Sequence, residues 1–146
     1  MKKLVVIIAL SLLAAACANV KFGGTSRWVD AYGPNFPQPN PGQAALYLVR
    51  DKASPDDPPI NVSLGRQVLG GLNGQTWMLL DLDPKLYDLR AFGTQESADL
   101  IITVDPGQTR FLLVQPTPSG NAEMLELSPA EGRRLVRLGQ HIQEMR

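Results

Sequence analysis

The chain has 146 residues, a length that favours one folded domain behind any N-terminal segment. Its 14 Lys and Arg balance its 14 Asp and Glu; without Lys2 and Lys3, 12 basic residues face 14 acidic ones, a net charge of about minus two. Because nucleic-acid binding relies on clustered basic residues that neutralise phosphates, this balance excludes nucleic acid as a general partner. The 13 Gly and 12 Pro lie mostly between apolar runs and favour many short strands over a few long helices.

Residues 1–17, MKKLVVIIALSLLAAAC, have the layout of a secretory signal peptide. Lys2 and Lys3 form a basic start, an apolar run follows, and three alanines precede Cys17. The apolar run is too short for a transmembrane helix, which needs about 20 apolar residues. We therefore expect an exported protein.

The end of this segment, LAAAC at residues 13–17, resembles the lipobox of bacterial lipoproteins, although a more typical box has Leu where Ala14 stands. The resemblance implies cleavage before Cys17 and acylation of that residue, and two or more acyl chains would hold the chain on the lipid bilayer. Ala18, in place of the Asp that retains Gram-negative relatives in the inner membrane, points to the periplasmic side of the outer membrane. A soluble secreted protein and an uncleaved signal anchor are the alternatives. As Cys17 is the only cysteine, no internal disulfide can form.

Residues 18–43 are rich in glycine and proline and predict an extended tether between the anchor and the folded domain. In polyproline conformation such a segment spans about 3 Å per residue. Trp28, Tyr32 and Phe36 are unusual in a solvated linker. Two interpretations stay open: one or two of these aromatic residues pack on the domain, or together they form a recognition segment that contacts a partner.

Short apolar or alternating segments bounded by turn residues fill residues 44–127. Eight of them predict strands: AALYLVR, INVSL, QVLGGL, TWMLLDL, LYDLRAF, ADLIITV, TRFLLVQ and AEMLELS. Gly65-Arg66 suits a two-residue hairpin, and Pro106-Gly107 suits the centre of a type II turn. Because the connections are too short for crossover helices, we predict an all-β fold, an antiparallel β-sandwich of about seven short strands. An open barrel is the alternative.

Residues 128–146 predict a C-terminal amphipathic helix. SPAE at residues 128–131 combines an N-cap Ser, a Pro at the first helical position and a Glu three residues after the cap. An apolar stripe then recurs at helical spacing: Leu135, Leu138, Ile142 and Met145. Gly132 and Gly139 each predict a loss of about 1 kcal/mol of helix stability relative to Ala. We expect this net basic helix to dock on the sheet; contact with a membrane, a partner helix or peptidoglycan is the alternative.

Three segments carry a resemblance to a known family: ALYLVR at residues 45–50, GRQVLG at 65–70 and PGQTRF at 106–111. They are similar to the opening strand, the hairpin, and the glycine turn with its aromatic strand in a family of uncharacterised bacterial lipoprotein domains. One departure is Pro84-Lys85, where the family has Pro-Gly. The resemblance implies a sandwich of immunoglobulin or transthyretin type, and it implies no activity.

Residues with catalytic or metal-binding chemistry are few. His141 is the only histidine and lies beside the apolar stripe of the predicted helix, while Cys17 is assigned to the anchor. The acidic segment at residues 81–88 has partial calcium-loop spacing, but Lys85 stands where an oxygen ligand is needed. We therefore expect no catalytic residue, no metal site and no cofactor.

These patterns predict a non-enzymatic envelope lipoprotein that binds a protein or glycan, or serves as a structural accessory. One alternative is an outer-membrane assembly factor of a secretion or envelope complex, which would contact its partner through a protruding loop at residues 51–59. A hydrolase with an acidic site at Asp81 and Asp83 is the other alternative.

Overall fold

The computed structural model describes residues 36–145. The predicted signal peptide, Cys17, Trp28 and Tyr32 lie outside the described residues. Strands account for 48% of the structure and helix for 9%. The elements are β1 Ala44–Arg50, β2 Ile60–Leu64, β3 Gln67–Leu72, β4 Thr76–Leu82, β5 Leu86–Phe92, β6 Ala98–Thr103, β7 Thr109–Pro116, β8 Ala122–Glu126, α1 Pro129–Leu138 and β9 Gln140–His141. The predicted all-β sandwich with a C-terminal helix is confirmed.

The strands form two sheets, a five-stranded one in the order β8-β7-β1-β4-β9 and a four-stranded one in the order β3-β2-β5-β6. Most strand pairs are antiparallel, as predicted, whereas β1 pairs with β7 and β4 with β9 in parallel. These pairs join segments that are far apart in the chain, so no turn sequence predicts them. In this order β1 and β2, which are consecutive in the chain, lie in different sheets.

The main core lies between the two sheets. Alternate residues of most strands point into it, as the period of two along a strand requires. The five-stranded sheet contributes Ala44, Leu46, Leu48, Met78, Leu80, Leu82, Leu112 and Val114, and the four-stranded sheet contributes Ile60, Val62, Leu64, Leu69, Leu72, Tyr87, Leu89, Ala91 and Ile102. Val104, which follows β6, and Ala122 of β8 complete it.

A second core lies on the outer face of the five-stranded sheet, beneath α1. Tyr47, Trp77 and Phe111 pack there against Leu135 and Val136 of the helix. β1 is consequently buried on both faces along its whole length, and its sequence is a continuous apolar run rather than an alternating one.

The helix begins as predicted and ends earlier than predicted. The Ser128 hydroxyl accepts a hydrogen bond from the backbone N–H of Glu131 at 3.3 Å, and Pro129 is the first helical residue. The last helical residue is Leu138, so the predicted helix over residues 128–146 is too long. Gly139 has an extended backbone that turns the chain toward the open edge of β4.

Beyond the helix, the chain pairs with the edge of the sheet as β9. The N–H groups of Gln140 and Ile142 donate to the carbonyls of Gln75 and Trp77 at 2.7 and 2.9 Å. His141 therefore lies in a strand, not in a helix, and its ring is 4.6 Å from that of Trp77. The residues of the predicted apolar stripe therefore have different surroundings. Leu135 is buried on the face of the helix that meets the sheet, Leu138 is exposed, and Ile142 packs against the main core.

Candidate functional site

A cleft of about 450 Å³ opens at the end of the sandwich where β1 finishes. Its three walls are residues 57–59 of the β1–β2 loop, residues 92–94 at the end of β5, and residues 116–120 of the β7–β8 turn. The parallel β1–β7 pairing and the antiparallel β2–β5 pairing bring these segments to the same end of the fold. The volume is within the range of small-molecule binding sites.

Hydrogen bonds hold two of the walls together. The Gly120 carbonyl accepts from the Thr94 hydroxyl at 3.1 Å and from the backbone N–H of Gln95 at 3.0 Å. The Ala122 N–H donates to the Glu96 carbonyl at 2.8 Å. These bonds fix the β5–β6 connection against the β7–β8 turn, so this side of the cleft is preformed.

Arg50 lies at the base of the cleft as the last residue of β1. Its side chain is directed inward like those of Leu46 and Leu48, and the residue is only 2% exposed. Nη1 donates to the carbonyls of Pro58 and Leu72, both at 2.8 Å. Nε and Nη2 are also buried, yet neither has a hydrogen-bond partner in the described part of the chain. The guanidinium is therefore anchored at one end and unsatisfied along one edge.

The charge of Arg50 makes this unsatisfied edge costly. Burial lowers the pKa of Arg50, and the nearby Asp57 carboxylate raises it in part. The two ion pairs found within residues 36–145 join Arg90 to Asp99 and Arg110 to Glu126, so neither neutralises Arg50. A buried charge without a partner costs several kcal/mol, and buried polar groups with no partner are rare in native proteins.

Asp57 is the acidic residue of the cleft, and its carboxylate is hydrogen-bonded within its own loop. One of its carboxylate oxygens accepts a hydrogen bond from the Ser54 N–H at 2.8 Å. It therefore contributes negative potential to the cleft while leaving the Nε and Nη2 edge of Arg50 without a contact.

Phe36, one of the three aromatic residues predicted to pack on the domain or to contact a partner, lies on the second core. Its ring centroid is 5.7 Å from that of Tyr47 and 5.9 Å from that of Phe111. The guanidinium carbons of Arg137 and Arg133 lie 5.3 and 5.8 Å from the same ring. Phe36 therefore packs on the domain, which is the first of the two interpretations of these aromatic residues. Trp28 and Tyr32 lie outside the described residues.

The acidic residues considered for chemistry have separate surroundings. Asp81 lies in β4, where burial and then the Glu144 charge raise its pKa. The backbone carbonyl of Asp83 accepts a hydrogen bond from the Tyr87 hydroxyl at 2.9 Å. Asp88 belongs to β5 in the other sheet. Across residues 36–145, no group of three or more His, Cys, Asp or Glu side chains is arranged to hold a metal ion.

In the same span of the chain, no helix has both the length and the apolar character needed to cross a bilayer. Comparison with known proteins finds no family model and no curated protein that matches the chain.

Sequence reasoning includes Arg50 only as the end of a strand motif and does not single it out as a site residue. The sequence feature that could have identified Arg50 is a charged residue at the end of an otherwise apolar, buried strand. A charge in that position needs compensating partners.

Proposed function

We propose that the chain is a membrane-anchored envelope lipoprotein whose sandwich has a non-enzymatic role, the binding of a partner protein at the Arg50 cleft. The observation that carries this proposal is the guanidinium of Arg50, which is buried, charged and unsatisfied along one edge at the base of an open cleft. Buried donors without a protein partner are expected in a binding site, because the ligand supplies the missing hydrogen bonds.

The anchor in this proposal is the acylated Cys17 on the periplasmic face of the outer membrane. Its support is the sequence of residues 1–18, and the position of Phe36 is compatible with it. Phe36 packs on the outer face of the five-stranded sheet, whereas the cleft opens at the end of β1. The described chain therefore begins on a different face of the domain from the one where the cleft opens.

A crosslinking experiment tests the binding role. A photoreactive residue at Pro118, an exposed position in the cleft wall, is compared with one at Ile101, which is 66% exposed on the four-stranded sheet. We expect the Pro118 probe to capture one envelope protein in living cells and Arg50→Lys to abolish that capture. Equal capture from both positions would contradict the proposed site.

The anchor is tested separately with Cys17→Ser and Ala18→Asp. The serine variant should fail to incorporate labelled palmitate and should differ in apparent mass from the parent chain. The aspartate variant should remain acylated but move from the outer to the inner membrane fraction. If Cys17→Ser stays in the detergent-soluble membrane fraction at unchanged mass, the chain is not anchored through this residue.

One observation favours the assembly-factor alternative. Residues 51–59 form an exposed loop in which only Ala53 is partly buried, and the end of this loop builds one wall of the cleft. An assembly partner could contact the loop and the cleft together. A photoreactive residue at Lys52 that captures a component of a secretion or envelope complex would support this alternative, whereas capture confined to Pro118 would count against it.

A further inference from the structure

The unused edge of the Arg50 guanidinium has a defined shape. Because Nη1 already donates to the carbonyls of Pro58 and Leu72, the free donors are the Nε–H and the N–H groups of Nη2. In a planar guanidinium, the Nε–H and one Nη2–H point in the same direction and match the two oxygens of a carboxylate. The two anchoring bonds hold this edge in a fixed orientation.

The walls around this edge are mainly apolar. Pro58, Pro59, Phe92 and Pro116 contribute rings to the cleft. A ligand with one carboxylate and an apolar body therefore meets complementary chemistry on both sides.

The hydroxyl groups of the cleft are already engaged within the protein. The Thr94 hydroxyl donates to the Gly120 carbonyl at 3.1 Å. The Thr117 hydroxyl lies 3.0 Å from that of Ser119 and donates to the Asn121 carbonyl at 3.3 Å. Few side-chain groups remain for the many hydroxyls of a sugar, so the walls favour a peptide over an acidic glycan.

The cleft carries one charge of each sign. Asp57 lines the same cleft as Arg50, so any bound anion meets one positive and one negative group. Both interactions double for a phosphate dianion, so the choice of a peptide carboxylate rests on the apolar walls.

We propose that the Arg50 cleft binds the C-terminal carboxylate of a partner peptide. The two carboxylate oxygens accept hydrogen bonds from Nε and Nη2, and an apolar terminal side chain lies against the proline rings. This inference rests on the proposed binding function and names the chemistry of its ligand. Both nitrogens have accessible areas below 1 Å², so the peptide reaches them when the exposed residues 54–57 shift outward while the Pro58 carbonyl keeps its hydrogen bond to Nη1.

The smallest probe of this site is N-acetylleucine, and its neutral matched control is N-acetylleucinamide. The full chain, purified in detergent with ¹⁵N-labelled arginine, is titrated with each to millimolar concentration. We expect the acid to shift the Nε resonance of Arg50 and to bind about tenfold or more tightly than the amide, as the loss of a bidentate charged pair implies. Backbone hydrogen exchange in residues 54–57 should slow when the acid binds.

Variants assign the effect to individual groups. Arg50→Lys keeps the charge but cannot present two parallel donors, so it should lose the preference for acid over amide. Asp57→Asn should bind the acid a few-fold more tightly because repulsion is removed. Arg66→Lys, in the exposed β2–β3 turn, is the matched control and should leave binding unchanged. If Arg50→Lys fails to fold, the acid and amide pair on the unmodified chain still decides the question.

The outcomes separate this inference from the proposed function. Equal binding of acid and amide would overturn the carboxylate inference and leave a binding role intact. Stronger competition by glucuronate or inorganic phosphate would replace the peptide with an acidic sugar or a phosphate. If no probe binds and the Pro118 and Ile101 crosslinkers capture equally, both this inference and the proposed function fail.

Discussion

Replacing Gly132 with alanine tests how closely α1 packs on the five-stranded sheet. Helix propensity alone predicts that Gly132→Ala stabilises the chain by about 1 kcal/mol. In the structure, however, a Cβ at this position would overlap the ring of Phe111. That ring is 1% exposed and stacks on Tyr47 with centroids 4.9 Å apart, so it has little room to move. Overpacking costs about 1–3 kcal/mol, and overlap with several ring atoms places this site in the upper part of that range. We therefore expect a net destabilisation of about 1–2 kcal/mol.

Urea unfolding of Gly132→Ala, Phe111→Ala and the double variant measures this effect. Phe111→Ala removes the ring atoms Cγ and Cδ1 that a Cβ would meet, so the alanine at position 132 should cost much less in that background, with a coupling energy of about 1 kcal/mol or more. Arg134→Ala, at an exposed position of the same helix, is the control and should change stability by less than about 0.5 kcal/mol. Stabilisation by Gly132→Ala in both backgrounds would refute the close packing of α1 on Phe111.

Three further changes test the second core and the neighbouring residue Asp81 of β4. Phe36→Ala should lower the unfolding free energy by about 1–2 kcal/mol, and Phe36→Leu by less than half as much, because the leucine keeps apolar contact with the second core and loses only the interactions that need an aromatic ring, those with the neighbouring rings and with Arg133 and Arg137. Burial, and then the charge of Asp81, raises the pKa of Tyr47 to about 12, so stability should fall as the pH rises from about 10 toward 12, and Tyr47→Phe should flatten that decline in pH-dependent unfolding. Burial and the Glu144 charge raise the pKa of Asp81 above 3.8, so its contribution is present in acid and lost as the pH rises; Asp81→Asn should therefore increase stability more at pH 7 than at pH 3. An unchanged difference between these two pH values would show that Asp81 ionises without penalty.

The strands were accessible to sequence reasoning because their signals are local. Alternation and turn residues place all eight predicted strands within two residues of their observed ends. Gly65 and Gly107 adopt φ values of 56° and 76°, as the predicted hairpin and type II turn require. What sequence reasoning missed depends on distant partners. β9 forms because the edge of β4 is open, and Gly132 is tolerated in α1 because the helix must approach Phe111 closely.

Arg50 shows the same limit at the candidate site. Its position at the end of an apolar strand is visible in the sequence, but its two hydrogen-bond acceptors come from Pro58 and from Leu72, 22 residues away. The β1–β2 loop and the end of β3 must both be in place before the guanidinium acquires an anchored end and an unsatisfied edge. A prediction based on residue types therefore identifies a strand end and does not identify a binding group.

The central position of β1 links the proposed anchor to the proposed ligand. β1 is paired on both sides and buried on both faces, so Phe36 on one face and Arg50 at its end are held in a fixed relation. The 19 residues from Cys17 to Phe36 can span at most about 65 Å when fully extended. If Cys17 is the anchor, the cleft can lie no farther from the bilayer than this tether length plus the diameter of the domain. The C-terminus of a partner must therefore lie within the same distance of the bilayer. The partner to be expected is thus an envelope protein whose C-terminus lies close to the same membrane.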